Sequence, residues 1–178
     1  MSEINIPEND LPPELIDDVD RLIDEAGITH NRALIRRILT SGILLGTDNT
    51  DRLALKVTSA ALIEMRNAFR LFAPYRAVPK VTIFGSARTL PASGAYRAAH
   101  DVARALADDG WMVVTGAGPG IMQAAAEGAG PDMSIGVSIR LPFEEKANEV
   151  IGQDPKHVAM KYFFTRKLML VKESTGFI

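Results

Sequence analysis

One segment limits the fold of this chain more than any other. Trp111-Met112-Val113-Val114-Thr115 is an uninterrupted β-prone run. It passes directly into Gly116-Ala117-Gly118-Pro119-Gly120 and then into helix-forming residues from about Ile121. A short, continuously apolar strand belongs where both faces of a sheet are covered. A strand that feeds a helix through a glycine turn is also half of a crossover unit. The alternation repeats on either side. Val81-Thr82-Ile83-Phe84 is a compact β-prone run that stops at Gly85-Ser86, and an alanine-rich helical stretch follows from about Ser93 to Asp109. Ser134 to Ile139 reads as a third strand. After a polar stretch, Tyr162 to Lys172 reads as helix, and Thr175-Gly176-Phe177-Ile178 as a strand beginning. Strands alternating with helices imply parallel pairing through right-handed crossovers.

The predicted fold class is therefore α/β, a Rossmann-like open parallel sheet over residues 80–178, preceded by an all-helical extension over residues 1–75. In the extension, Leu11-Pro12-Pro13 opens a helix, because proline is tolerated in the first turn. Leu15, Ile16, Val19, Leu22 and Ile23 share one face, with Asp17, Asp18 and Asp20 outside it, and Gly27 ends the segment. A second helix is expected from about Arg32 to Gly46, burying Leu34, Ile35, Ile38 and Leu39. Asn49-Thr50-Asp51 offers caps for a third, which runs to about Phe72 and is closed by Pro74. Tyr75 to Lys80 is the linker.

Composition excludes several classes of function. A formal charge of -2 gives no overall electrostatic grip on nucleic acid or anionic membrane. The chain has no cysteine, which removes disulfides, thiolate catalysis and cysteine-based metal sites. His30, His100 and His157 form no spaced ligand pair, and Asp132, Asp154 and Asn148 have no metal-binding spacing, so no metal is expected. The polar, acidic opening MSEINIPEND is unlike a secretory signal, and no apolar run approaches the ~20 residues that span a bilayer. A cytoplasmic enzyme or binding protein, without a membrane partner, is the expectation.

In open parallel sheets ligands collect at the carboxyl ends of the strands. Two candidate segments lie there. Gly85-Ser86-Ala87-Arg88 follows the first strand: Gly85 permits close backbone approach, Ser86 offers a hydroxyl and Arg88 a charge. An ordinary strand-to-helix turn explains this segment equally well. The second, Thr115 to Met122, presents glycine amides at a helix N-terminus, which favours anionic groups such as phosphate. Its spacing is G-x-G-x-G, neither the dinucleotide fingerprint nor a P-loop, so NAD binding and nucleotide-dependent phosphoryl transfer are disfavoured.

Five motifs in register now resemble one family. Phe84-Gly85-Ser86-Ala87-Arg88, Thr115 to Met122, Ser134-Ile135-Gly136, Leu141-Pro142-Phe143-Glu144 and Tyr162 to Met169 together look like the LOG (Lonely Guy) family, long labelled lysine decarboxylases. The resemblance covers residues 80–178. It implies a nucleoside 5′-monophosphate phosphoribohydrolase, which releases free base and ribose 5-phosphate from AMP-like or cytokinin nucleotides, commonly as a homodimer and without a cofactor. It implies no pyridoxal site. By position, Arg166 matches the family's active-site arginine and Lys167 its neighbour. Gly116, Gly118 and Gly120 would lie against the nucleotide, with Gly85, Ser86 and Met122 nearby. A guanidinium suits the work, since it forks onto phosphate or ribose oxygens and stays charged. A surface arginine on an amphipathic helix is the ordinary alternative for Arg166.

Glycoside cleavage passes through an oxocarbenium-like transition state, stabilised by a carboxylate, and needs an activated water. In the LOG family that carboxylate belongs to a P-G-G-x-G-T-x-x-E motif following the strand that here starts at Thr175. Glu127, Glu144, Glu145 and Glu173 sit in no matching motif. The expectation is a domain incomplete at its C-terminal end and silent by itself. A nucleotide-binding module without turnover is the alternative from another class. Arg32, Arg36 and Arg37 could meet DNA phosphates, but the first helix is acidic and no basic arm precedes it, so nucleic acid is not an expected partner. His100 and His157, with no acid or nucleophile partner in sight, read as structural. The base is left open.

Overall fold

A computed structural model describes residues 11–140 and 147–178. The Leu141-Pro142-Phe143-Glu144 motif and Glu145 lie outside the described residues. The chain divides into two compact units, one ending at Thr58 and one running Ser59–Ile178.

The first unit holds α1 (Pro13–Glu25), α2 (Arg32–Thr47) and the start of α3 (Arg52–Phe72). Pro13 sits in the first turn of α1, and Gly27 closes the helix at φ 68°, a backbone state that costs glycine little. Of the three residues that could cap α3, Asp51 does so: its Oδ1 accepts from the amides of Leu53 (2.7 Å) and Ala54 (3.1 Å). The apolar stripes are narrower than their sequence periodicity implies. Val19 and Ile23 are buried, but Leu15, Leu22, Leu34 and Ile38 are exposed. α2 packs on α1, and a single neighbour covers only part of a helix's circumference. Charge adds to this pairing. Arg36 forks onto both carboxylate oxygens of Asp20 at 2.6 Å, and Arg32 reaches Asp24 at 2.6 Å. Arg32 and Arg36 of the basic cluster therefore turn to acids of α1.

The second unit is the α/β domain. β1 (Lys80–Thr82), β2 (Met112–Thr115), β3 (Ser134–Ile139), β4 (His157–Met160) and β5 (Gly176–Phe177) form one parallel sheet in the order β4-β3-β2-β1-β5. α4 (Gly94–Asp108) joins β1 to β2, α5 (Ile121–Ala129) joins β2 to β3, and α6 (Phe163–Lys172) joins β4 to β5. Side chains alternate across a strand, and the core divides accordingly. Met112, Val114, Ile135 and Val137 meet Met169 and Leu170 of α6 and Ala68 and Phe72 of α3. Val113, with Val81 and Ile83, meets Ala103 of α4 and Ala125 and Ala129 of α5 on the other face. Each fully buried side chain of this size contributes about 1.5–3 kcal/mol.

β4 lies within what the sequence presents as a polar stretch. It is an edge strand paired with β3 alone, Val137 opposite Val158, and three of its four residues are only half-buried. A half-covered edge needs no continuous apolar run, so His157-Val158-Ala159-Met160 carries no strong strand pattern.

Candidate functional site

The carboxyl ends of β2, β3 and β4 open on one side of the sheet, and the loop after β2 builds its floor. The Thr115 hydroxyl accepts from the Ala117 amide at 3.1 Å. Ala117 holds φ 57° while almost wholly buried, a conformation that costs a non-glycine residue about 1–2 kcal/mol. Gly120 then turns at φ 68° and starts α5, which no side chain caps. Instead the Ser86 carbonyl accepts from the Ile121 amide at 3.1 Å.

That bond defines what the loop after β1 does. A Cβ at Gly85 would strike Ile121, and one at Gly120 would strike the Ser86 carbonyl and Ala87. Ser86 Oγ accepts from the Arg88 amide at 3.1 Å. The two loops are thus keyed together backbone to backbone.

Arg166 projects from α6 across the ends of β2 and β3. Its Nε donates to the Val137 carbonyl at 2.8 Å and its Nη2 to the Gly116 carbonyl at 3.3 Å. A Cβ on residue 116 would meet that same Nη2 and the Met122 sulfur, so glycine is what lets the guanidinium reach the strand end. Upstream, Glu64 of α3 fixes where α6 begins. Its carboxylate accepts from the Lys161 amide at 2.6 Å and from the fully buried Thr165 hydroxyl at 2.7 Å. Lys167 is exposed.

A cleft of about 540 Å³ lies above these strand ends. Gly116, Gly118 and Met122 line one wall, and Phe163 and Arg166 of α6 line another. Ser138, Arg140 and His157 close it from β3 and β4. Of the residues singled out from sequence, Gly116, Gly118, Met122 and Arg166 come together here. Gly85, Ser86, Gly120 and Lys167 are not in its lining; the first three buttress the floor from beneath. Among the described residues that line the cleft there are two arginines and a histidine but no aspartate or glutamate.

Three further residues shape the site without a signal in the sequence. His157 Nε2 lies 2.8 Å from Ser138 Oγ, so the ring has the hydroxyl partner that linear reading did not supply. Burial pulls the His157 pKa below the usual histidine range, opposed by a hydrogen bond to the Gly152 backbone. Asn148, itself buried, donates from its backbone amide to the Ala117 carbonyl (2.9 Å) and from Nδ2 to the Gly118 carbonyl (3.1 Å). It holds the strained turn in place. Among the described residues no group of His, Asp and Glu is placed to hold a metal ion, and no helix is long and apolar enough to cross a membrane.

Residues 78–163 match the family model described as the SLOG cluster4 family, a grouping within a superfamily that includes LOG-like proteins. The match runs from just before β1 to the first residue of α6. It therefore takes in both glycine loops, Ser138, Arg140 and His157, and stops short of Arg166. No curated protein matches the chain. Together with the parallel sheet, the similarity supports a Rossmann-like protein with a nucleotide-related function.

Proposed function

We propose that this cleft binds a nucleoside 5′-monophosphate and that the protein is a LOG-type phosphoribohydrolase, cleaving the N-glycosidic bond to give free base and ribose 5-phosphate. The observation that carries the reading is the Arg166 guanidinium, seated over the ends of β2 and β3 against Gly116 in a cleft whose described lining has no acid. Among the described lining residues an anionic ligand meets no charge of its own sign, and low-dielectric walls strengthen its attraction to the arginines. The floor glycines admit the ligand against backbone amides at the start of α5. During cleavage the C1′–N bond breaks with its electron pair going to the base, water adds its oxygen to C1′, and one of the water's protons ends on the base nitrogen. Arg166 keeps the ribose and phosphate oxygens fixed while positive charge develops on the ring. No cofactor enters this chemistry. Extending the LOG resemblance, the working form is a homodimer in the cytoplasm; a monomeric mass in sedimentation at working concentration would count against the assembly.

A second reading, binding without turnover, draws on the same lining. Stabilising an oxocarbenium ion calls for a carboxylate, and the described cleft residues include none. Incubation with AMP of the chain and of a form extended by any native sequence that follows it, with chromatography of adenine and ribose 5-phosphate, separates the two, the hydrolase reading expecting product from the extended form. Release of both products, abolished in Arg166→Gln, supports the hydrolase. AMP binding by calorimetry without product supports the binding module. Neither binding nor product would discard both.

A further inference from the structure

α6 carries Arg166, and its own sequence does little to fix where it starts. Tyr162, at its N-cap, makes no side-chain cap bond. Its buried face is apolar at the far end, where Met169 and Leu170 meet Ala68 and Phe72 of α3. Apolar contacts have no direction, so a helix held by them alone can slide along its partner. A slip of one residue carries every side chain about 1.5 Å along the axis and about 100° around it. The 2.8 Å bond from Arg166 Nε to the Val137 carbonyl would not survive that.

The polar end of the same seam removes that freedom. Glu64, Ala68 and Phe72 recur every four residues along α3, as do Thr165 and Met169 along α6, so each set shares a face. Glu64 Oε1 accepts from the Lys161 amide at 2.6 Å. Its Oε2 accepts from the Thr165 hydroxyl at 2.7 Å and from the Tyr162 amide at 3.5 Å. One carboxylate thus ties the chain on both sides of the helix start, up to the residue before Arg166. Thr165 is wholly buried. A directional polar contact at a buried position specifies register where apolar packing does not.

We infer that Glu64 is a positioning residue for Arg166: it sets the register of α6 and so the place of the guanidinium over the ends of β2 and β3. Its consequence for binding rests on the reading that the cleft holds a nucleotide through Arg166. Glu64 and α6 belong to one unit, Ser59–Ile178. Yet Glu64 precedes residue 78, where the match to the family model begins. The C-terminal half of α3 is therefore part of the site, although it lies outside the segment that resembles other proteins.

Two measurements on the full chain test it, one without ligand and one with AMP. In a nitrogen–proton NMR spectrum the Arg166 Nε–H, identified by its loss in Arg166→Gln, is expected to be protected from exchange by its bond to the Val137 carbonyl. Glu64→Ala is expected to lose that protection and to weaken AMP binding roughly tenfold by calorimetry. Glu64→Gln is expected to recover the protection, with AMP within about threefold of the parent. Its amide oxygen can take the Lys161 amide, and its NH2 can donate to the Thr165 oxygen while that hydroxyl turns its hydrogen to the Tyr162 carbonyl. In an Arg166→Gln background, Glu64→Ala should change AMP affinity by less than about twofold, because a residue acting through Arg166 has nothing left to place. Thr165→Val cuts the same tie from α6 and should weaken AMP about threefold, which keeps the test open if Glu64→Ala does not fold. An Arg166 signal that is unprotected in the parent, or stays protected in Glu64→Ala, overturns the inference. So does an AMP loss of equal size with and without Arg166, or a Glu64→Gln protein as weak as Glu64→Ala. Loss of protection in Glu64→Ala when the parent binds no AMP keeps Glu64 as the residue that positions Arg166 and discards the nucleotide.

Discussion

The loops that leave β1 at Gly85 and β2 at Gly116 start alike, each with a glycine at the carboxyl end of a buried parallel strand. From there they diverge. Gly85 lies beneath Ile121, and the Ser86 carbonyl takes the Ile121 amide, so the first loop supports the helix that follows the second. Gly116 lies beneath the Arg166 guanidinium, and its carbonyl helps to hold it. One glycine leaves room for packing inside the protein, the other for a functional group at a cleft. A glycine at a strand end therefore marks a close approach, and the atom that approaches decides the role. Each substitution below asks whether a position belongs to the buttress or to the cradle.

The largest effect is expected at the joint between the two loops. Gly120→Ala puts a Cβ on a φ of 68° and against the Ser86 carbonyl and Ala87 backbone. Backbone cannot swing away as a side chain can, so strain and clash add to about 3 kcal/mol of lost stability. Urea denaturation measures this. A loss below about 1 kcal/mol would mean that the loops are not keyed together.

Asn148→Ala comes next. It removes the Nδ2 bond to the Gly118 carbonyl and the Oδ1 acceptor of the Ile151 amide, but keeps the backbone bond to Ala117. Losing partners at a buried site costs about 1–2 kcal/mol. Hydrogen exchange at the loop after β2 should quicken with it. Unchanged exchange would show that Ala117 keeps its strained turn without the Asn148 side chain.

Gly116→Ala sharpens the contrast. Its Cβ meets the end of a flexible arginine and a methionine sulfur, which can move at a cost below about 1 kcal/mol. Stability should barely change, while AMP affinity falls roughly tenfold as Arg166 is displaced. Equal losses in both would move Gly116 to the buttress.

Much of this architecture is written in short stretches of chain. Met112 to Thr115 is apolar on both faces, glycine punctuates its end, and Ser134 to Ile139 is found as read. Ser93 caps α4 through the Tyr96 amide, again a local pattern. What linear reading missed is made by register. Ser138 and His157 meet because β3 and β4 pair in parallel, and an edge strand such as β4 needs no apolar run to form. Glu64 positions α6 from about a hundred residues away, a distance over which no spacing rule operates. Leu34 and Ile38 fall on the wrong side of their prediction for a related reason: periodicity shows that a helix has an apolar stripe, but not how much of it a neighbour covers. Arg166 stood out through resemblance alone, since an arginine on an amphipathic helix looks ordinary until the strand ends beneath it are known.

The smallest expected effect falls on the residue for which the two roles are hardest to separate. Ser86 offers a hydroxyl near a strand end, which is the usual form of a ligand contact. Here that hydroxyl accepts from the Arg88 amide two residues on, at an exposed position. The structural work of Ser86 is done by its carbonyl, which every residue possesses. Ser86→Ala should therefore cost at most about 0.5 kcal/mol, as exposed substitutions do, and leave AMP affinity within about twofold. Parallel unfolding and calorimetric measurements on this variant read both. A tenfold loss of AMP affinity at unchanged stability would place the β1 loop against the ligand, and the nucleotide would then lie across both loops instead of along the second alone.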